Sequence, residues 1–111
     1  MDEQPRHGVL IVDDDPAIVR VYQEVLRHAG FEVDNIVSTG KEALEASPSE
    51  IILLDHHLPD GEGVDLLGAL RNQEGRPSII MVTGAGDESL AASALRRGAE
   101  DYLVKDQSLP E

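Results

Sequence analysis

Short, continuous apolar runs recur along the chain and alternate with segments of helical spacing. Runs of four or five apolar residues without polar alternation are typical of strands buried on both faces of a parallel sheet. The segment 31–37 is less regular and predicts a weaker strand. The five predicted strands are residues 9–12, 31–37, 51–54, 79–82 and 102–104.

The segments between these strands predict helices. The first begins at Pro16, with Asp15 as its N-cap, and ends before Gly30. Its apolar positions recur at helical spacing and are Ile18, Tyr22, Val25, Leu26 and Ala29. Thr39 and Glu42 have the spacing of a capping box, which predicts a short second helix.

Two further helices follow the third and fourth strands. Breaker residues at 58–63 predict a loop. Beyond it, Val64, Leu67 and Leu70 mark one helix face. The last helix ends at Gly98, and its apolar positions are Leu90, Ala91, Ala94 and Leu95.

Strands that alternate with helices imply right-handed crossovers and a parallel sheet. The predicted fold class is therefore α/β: a three-layer, doubly wound domain with five parallel strands and at least four helices. Its length of 111 residues suits one domain over 1–111, with a core at 8–105.

Composition narrows the class of protein. The chain has 9 basic and 22 acidic residues, a formal charge of −13. This balance argues against direct binding of nucleic acid or of anionic membrane surfaces, and favours a partner with a basic patch or a site that gathers cations. Cysteine is absent, so disulfides and thiolate metal sites are excluded. We expect a cytoplasmic protein.

Polar residues stand where the predicted strands end. They are Asp13, Asp14, Asp55, Thr83 and Lys105. In open parallel sheets, ligands bind beyond the carboxyl ends of the strands, so these side chains should converge. Clustered carboxylates repel each other unless a cation is bound, and oxygen ligands suit Mg²⁺. A carboxylate beside such an ion can act as a nucleophile toward phosphorus.

Each of these residues also has a structural interpretation. Asp13–Asp15 could simply cap the first helix. Thr83 could end a strand, and Lys105 could be a surface lysine. His56 and His57 resemble a metal pair, but neighbours on an extended segment point to opposite sides, which argues against it.

Four stretches together resemble a known family. They are LIVDDDP at 10–16, LLDHHLPDGEG at 53–63, VTG at 82–84 and DYLVK at 101–105. In this order, the chain resembles the CheY-like receiver domains of response regulators and hybrid sensor kinases in two-component signalling. The resemblance spans 9–105 and implies the strand order 2-1-3-4-5.

The resemblance also implies a metal site. Asp55 would be the phosphorylated residue and would bind Mg²⁺ or Mn²⁺ together with Asp14 and the backbone carbonyl of His57. Asp13 would hold a metal-bound water. The phosphoryl donor would be a sensor histidine kinase or a phosphotransfer protein.

The same resemblance implies a switch. Lys105 would contact the phosphoryl oxygens, and Thr83 would move to hydrogen-bond the phosphoryl group. Tyr102 would then change rotamer and alter a partner-binding surface. Tyr22 is expected in the core. Such a protein catalyses only its own phosphorylation and dephosphorylation.

The sequence departs from the family pattern at two places. Asp106 stands where proline is usual, which predicts a trans peptide bond and a shifted lysine loop. Only six residues follow Lys105, so we expect the final helix to be absent or truncated. An uncovered sheet face would then favour a homodimer, domain exchange or low stability. We expect the chain to be a module of a longer protein.

Two alternatives stay open at this point, a phosphatase and a receiver that is not phosphorylated, and a third, a flavodoxin-like cofactor carrier, is rejected. A small Mg²⁺-dependent phosphatase would use the D-x-D pattern of Asp13 and Asp15 but would leave Asp55 without a role. A flavodoxin-like cofactor carrier would need a hydroxyl- and glycine-rich loop where this chain has three aspartates. A receiver that binds partners without phosphorylation would make Asp55 dispensable.

Overall fold

The computed structural model describes residues 7–84 and 87–105. Five parallel strands form the main sheet in the order β2-β1-β3-β6-β7. When only the five strands of this sheet are counted along the chain, the order is 2-1-3-4-5, as predicted. The strands are β1 (Gly8–Val12), β2 (Glu32–Val37), β3 (Ile51–Asp55), β6 (Ser78–Gly84) and β7 (Asp101–Lys105). The helices are α1 (Pro16–His28), α2 (Gly40–Glu45), α3 (Leu67–Arg71) and α4 (Glu88–Arg96).

The predicted helix ends are confirmed. The Asp15 side chain accepts a hydrogen bond from the amide of Ala17 at the start of α1. Thr39 and Glu42 form a reciprocal capping box at the start of α2. Gly98 follows α4 with a φ of 116°, a conformation that glycine adopts at little cost.

The prediction of a plain loop at 58–63 is wrong in part. Residues His57–Leu58 (β4) and Gly61–Glu62 (β5) form a small antiparallel hairpin. A 3₁₀ helix at Gly63–Leu66 then leads into α3. The single helix that apolar spacing predicted is therefore divided into a 3₁₀ part and an α part. Asp60, at the hairpin turn, accepts hydrogen bonds from the amides of Gly40 and Lys41 and so supports the start of α2. Local spacing could not anticipate this long-range contact.

The two faces of the main sheet are covered differently. On one face, which we call the three-helix face, α2, α3 and α4 pack on the strands. Its buried strand residues are Leu10, Val12, Ile52, Leu54, Ile79 and Met81. On the other, the α1 face, α1 packs among the described residues through Ile18, Val19, Tyr22 and Leu26. Its buried strand residues are Val9, Ile11, Leu53 and Val82.

The α1 face is incompletely covered near β7. Leu103 pairs in register with Val82 and is 48% exposed. The expectations about Asp106 and the final helix concern residues 106–111, which lie outside the described residues. Within the described ranges, no helix is both long and apolar enough to cross a membrane.

Candidate functional site

The carboxyl edge of the sheet brings the predicted site residues together. Asp55 is the last residue of β3, and Asp13 directly follows β1. Thr83 lies near the end of β6, and Lys105 ends β7. Asp13, Asp55 and Thr83 are all buried, whereas Asp14 is exposed. The apolar runs end at one edge because the strands are parallel and in register, so their terminal side chains share one rim.

An ionic cluster occupies the α1 side of this edge. The ammonium Nζ of Lys105 lies 3.1 Å from Asp55 Oδ1 and 3.1 Å from Asp13 Oδ2. The contact with Asp55 is also a hydrogen bond donated by the lysine. Asp13 Oδ2 makes no hydrogen bond within the described residues, so its contact with Lys105 is an ion pair by distance alone. One lysine thus bridges two buried carboxylates.

The charges of this cluster shift its ionisation. Burial and the Asp13 carboxylate raise the pKa of Asp55 above its ordinary value, against the opposing effect of Lys105. Burial acts to lower the pKa of Lys105, but Asp13 and Asp55 outweigh it and raise that pKa. The site therefore carries more negative charge than Lys105 alone neutralises.

The acidic residues fit a hard divalent cation. One carboxylate oxygen each from Asp13, Asp14 and Asp55 lie within 4.8 Å of one another. Burial is the first cause of the raised pKa of Asp55, and the Asp13 and Asp14 carboxylates add to it by a repulsion that a bound cation would relieve. Oxygen-only ligands with one exposed side suit Mg²⁺ or Mn²⁺, which keep bound waters. Asp15 takes no part, because its side chain caps α1.

Thr83 lies on the face of the sheet opposite to the ionic cluster. It is 1% exposed, and its hydroxyl has no hydrogen-bond partner within the described residues. Since Met81 faces the three-helix side, strand alternation places Thr83 on that face as well. Tyr102, on the neighbouring strand β7, is half-buried and packs against the same cluster. The two predicted switch residues thus share the three-helix face.

The two histidines after Asp55 have different surroundings. His56 is 2% exposed, whereas His57 is exposed in β4. Their ring centroids are nevertheless 4.6 Å apart in an edge-on contact, because the chain bends between β3 and β4. His57 Nε2 lies 3.7 Å from Asp87, before α4, and His56 Nε2 lies 3.9 Å from Glu62. The two histidines differ in exposure, as expected for neighbours that point to opposite sides. Their rings nevertheless lie in contact, which was not expected.

Tyr22 extends from α1 beneath the acidic cluster. It belongs to the core, as predicted, but its hydroxyl is buried without a partner within the described residues. Burial raises the pKa of Tyr22 well above its ordinary value, and Asp13, Asp55 and Asp15 act in the same direction. Apolar spacing on α1 identified Tyr22 as a core residue, but nothing in the sequence pointed to its closeness to the site.

Sequence reasoning gave His56 no role beyond a metal pair with His57. The sequence carried no signal for another role, because His56 lies in the bend after β3, where strand alternation no longer sets the direction of a side chain. In the structure the His56 amide donates to the Val82 carbonyl at 2.9 Å, and this hydrogen bond belongs to the pairing of Asp55 with Val82.

Comparisons with known proteins agree with this geometry. A model of the response regulator receiver domain matches residues 9–111. The transcriptional regulatory protein KdpE of Mycobacterium tuberculosis is 38% identical over 106 residues, which cover 93% of this chain and 46% of that protein. The chain thus spans about half the length of the curated relatives it matches.

Solved structures give the same picture. A CheY-like response regulator receiver domain protein from Methanospirillum hungatei is 32% identical, with a TM-score of 0.76. The match covers 91% of this chain and 82% of that one. A response regulator from Burkholderia pseudomallei, solved with a phosphorylated aspartic acid, calcium ion and citrate, is 26% identical, with a TM-score of 0.79. That match covers 93% of this chain and 62% of the other.

Proposed function

The chain belongs to the receiver domains of response regulators in two-component systems, and from this premise we propose that Asp55 is its phosphorylated residue. The observation that carries the proposal is the placement of Asp55. It is a buried carboxylate at the carboxyl end of a central strand, 3.1 Å from the ammonium of Lys105. The phosphorylated aspartic acid in the Burkholderia pseudomallei neighbour supports the same chemistry.

In the proposed reaction, a carboxylate oxygen of Asp55 attacks phosphorus, and the bond from phosphorus to the donor group breaks. Lys105 balances the negative charge that gathers on the phosphoryl oxygens. Its contacts with Asp55 and Asp13 hold the ammonium beside Asp55, where the phosphoryl group would be attached. Burial of Asp55 limits the access of water to the acyl phosphate.

Asp13, Asp14, Asp55 and the backbone carbonyl of His57 would hold a Mg²⁺ or Mn²⁺ ion. Bound there, the ion supplies positive charge to the phosphoryl oxygens. The three carboxylates support this part of the proposal through their mutual approach. The role of the His57 carbonyl rests on family resemblance and on its place two residues after Asp55.

We also propose that Thr83 and Tyr102 form the switch. The Thr83 hydroxyl is free to donate to a phosphoryl oxygen, since it has no partner within the described residues. Thr83 pairs in register with Val104 of β7, and Tyr102 lies two residues before it on the same face. A shift of Thr83 would therefore be transmitted through Val104 to Tyr102. It would favour a second conformer that binds a partner.

The wider assignment rests on the family. The donor would be a sensor histidine kinase or a phosphotransfer protein, and the domain (1–111, core 8–105) would be a cytoplasmic module of a longer protein. Its chemistry would be limited to its own phosphorylation and dephosphorylation. The strong negative charge speaks against direct binding of nucleic acid or membrane. A homodimer through the α1 face is proposed from the exposure of Leu103.

Intact mass spectrometry after incubation with acetyl phosphate and Mg²⁺ tests the proposal. We expect a gain of about 80 Da for one phosphoryl group, lost on addition of a chelator before the donor. Asp55→Ala should show no gain. Asp15→Asn is the matched control, because asparagine is an equally good N-cap, and it should be phosphorylated like the parent.

An adduct that persists in Asp55→Ala would contradict the assignment of Asp55. No adduct on folded parent protein would favour the alternative in which the domain binds its partner without phosphorylation. Release of phosphate from a phosphomonoester over many turnovers would favour the phosphatase alternative instead.

A further inference from the structure

Two buried polar atoms beside Asp55 lack hydrogen-bond partners within residues 7–84 and 87–105. They are Nδ1 of His56 and Oγ1 of Thr83. His56 is 2% exposed and Thr83 is 1% exposed. Buried polar atoms without a partner are few in native structures, and each one calls for a structural or functional explanation.

The two residues lie at the carboxyl ends of neighbouring strands. Asp55 pairs with Val82 in the parallel register of β3 and β6, and His56 and Thr83 are the residues that follow these two. The His56 amide donates to the Val82 carbonyl at 2.9 Å, which holds the backbone of His56 beside the peptide bond between Val82 and Thr83. Thr83, two residues after Met81 on β6, faces the three-helix side.

The backbone on either side holds His56 in place. The amide of Gly63 donates to the His56 carbonyl at 2.6 Å, which ties the β4–β5 hairpin to the end of β3. A side chain at position 63 would collide with the backbone of Asp55 and His56. The backbone of His56 is therefore fixed on both sides, whereas a threonine side chain can change rotamer about one bond.

The electrostatic surroundings indicate which nitrogen carries the proton. His56 Nε2 lies 3.9 Å from the Glu62 carboxylate, and this carboxylate favours a proton on Nε2. In an imidazole whose one proton is on Nε2, Nδ1 carries a lone pair. A lone pair at this position can accept a hydrogen bond from a hydroxyl group on the adjacent strand.

We propose that His56 is a positioning residue whose Nδ1 accepts a hydrogen bond from the Thr83 hydroxyl in the unphosphorylated protein. Rotation of Thr83 about its Cα–Cβ bond forms this contact. A threonine hydroxyl has one proton to donate, so it serves either His56 or a phosphoryl oxygen on Asp55. The contact between Thr83 and a phosphoryl oxygen is part of the proposed function, and the inference rests on that function for this contact. His56 thereby stabilises the unphosphorylated state of the switch.

Nitrogen NMR of the unphosphorylated protein tests the contact directly. With ¹⁵N-labelled histidine, we expect Nδ1 of His56 to be unprotonated and its resonance to shift in Thr83→Val, which lacks the hydroxyl. Thr83→Ser keeps a hydroxyl and should resemble the parent, and the exposed His28 is the internal control. A protonated Nδ1, or a resonance that Thr83→Val leaves unchanged, would overturn the proposal. Since no phosphorylation is involved, this test is independent of the proposed function.

A kinetic cycle tests the consequence. His56→Leu removes the acceptor and should speed acetyl phosphate labelling about fivefold, which corresponds to one hydrogen bond of about 1 kcal/mol. His56→Asn places a carbonyl oxygen near the position of Nδ1 and should restore the parent rate. In a Thr83→Val background, His56→Leu should change nothing. If His56→Leu still speeds labelling in the Thr83→Val background, the proposal is wrong, because the effect of His56 would then not depend on the Thr83 hydroxyl.

Discussion

The two faces of the main sheet carry different polar groups at the same carboxyl edge. On the α1 face, the carboxylates of Asp13 and Asp55 share the ammonium of Lys105. On the three-helix face, Thr83 is buried, and its hydroxyl has no partner within the described residues. The first arrangement suits the proposed transfer of a phosphoryl group to Asp55, and the second suits the proposed switch. The two groups lie on opposite faces because Thr83 alternates with Val82, the strand partner of Asp55.

The faces also differ in their apolar cover. Strand residues on the three-helix face are almost fully buried beneath α2, α3 and α4. On the α1 face, Leu103 is 48% exposed, and Ile51 and Ile80 are only half-buried. The apolar contribution to stability should therefore be concentrated on the three-helix face, which includes Thr83 and Tyr102, and be weaker around β7 on the α1 face.

The largest expected effect comes from matched leucine truncations on the two faces. Leu70→Ala, in α3, removes a fully buried side chain and should lower the free energy of unfolding by about 2–5 kcal/mol. Leu103→Ala should cost less than about 1 kcal/mol, because its side chain is half exposed already. Urea unfolding followed by circular dichroism measures both values.

The Leu103 variant also tests self-association. If a second copy covers the α1 face, sedimentation equilibrium should show a dimer that Leu103→Ala weakens. The cost of this substitution would then approach that of Leu70→Ala and would depend on protein concentration. Equal costs at all concentrations would contradict the contrast between the faces.

A smaller, pH-dependent effect is expected at Asp55. Its folded pKa is raised, chiefly by burial and by Asp13, so the folded state holds this proton more tightly than the unfolded state. The contribution of Asp55 to stability therefore falls as pH rises from the ordinary carboxyl pKa through the folded pKa. Without divalent metal, Asp55→Asn should melt a few degrees above the parent at pH 7, and the gap should narrow toward pH 4.

Addition of Mg²⁺ should also narrow that gap, because the cation relieves the repulsion only when the carboxylates are present. Asp65→Asn, an exposed aspartate away from the cluster, is the control and should melt like the parent. A variant of Asp55 that melts below the parent at pH 7 would mean that the ion pair with Lys105 outweighs the repulsion.

The smallest expected effect is at Tyr22, on the α1 face. Its buried hydroxyl has no partner within the described residues, so Tyr22→Phe should raise the free energy of unfolding by up to about 1 kcal/mol. Tyr102→Phe, on the half-buried residue of the other face, should change it by less than about 0.5 kcal/mol. Loss of 1 kcal/mol or more in Tyr22→Phe would show that the hydroxyl is bonded after all.

Much of the fold followed from local patterns. The apolar runs predicted the buried strands, and Asp15, Thr39 and Glu42 marked helix starts that the structure confirms. These features depend on residues a few positions apart, so a single sequence contains them. The convergence of Asp13, Asp55, Thr83 and Lys105 was also predictable, since parallel strands end at one edge.

Only the tertiary structure decided the features that join distant parts of the chain. The support of α2 by Asp60 depends on hydrogen bonds across 19 and 20 residues. The bridging of Asp13 and Asp55 by Lys105 depends on register between strands, and the closeness of Tyr22 to the carboxylates depends on the packing of α1 on the sheet. Sequence determines which residues end each strand, but register and packing decide which atoms meet, because those distances are set by the whole fold.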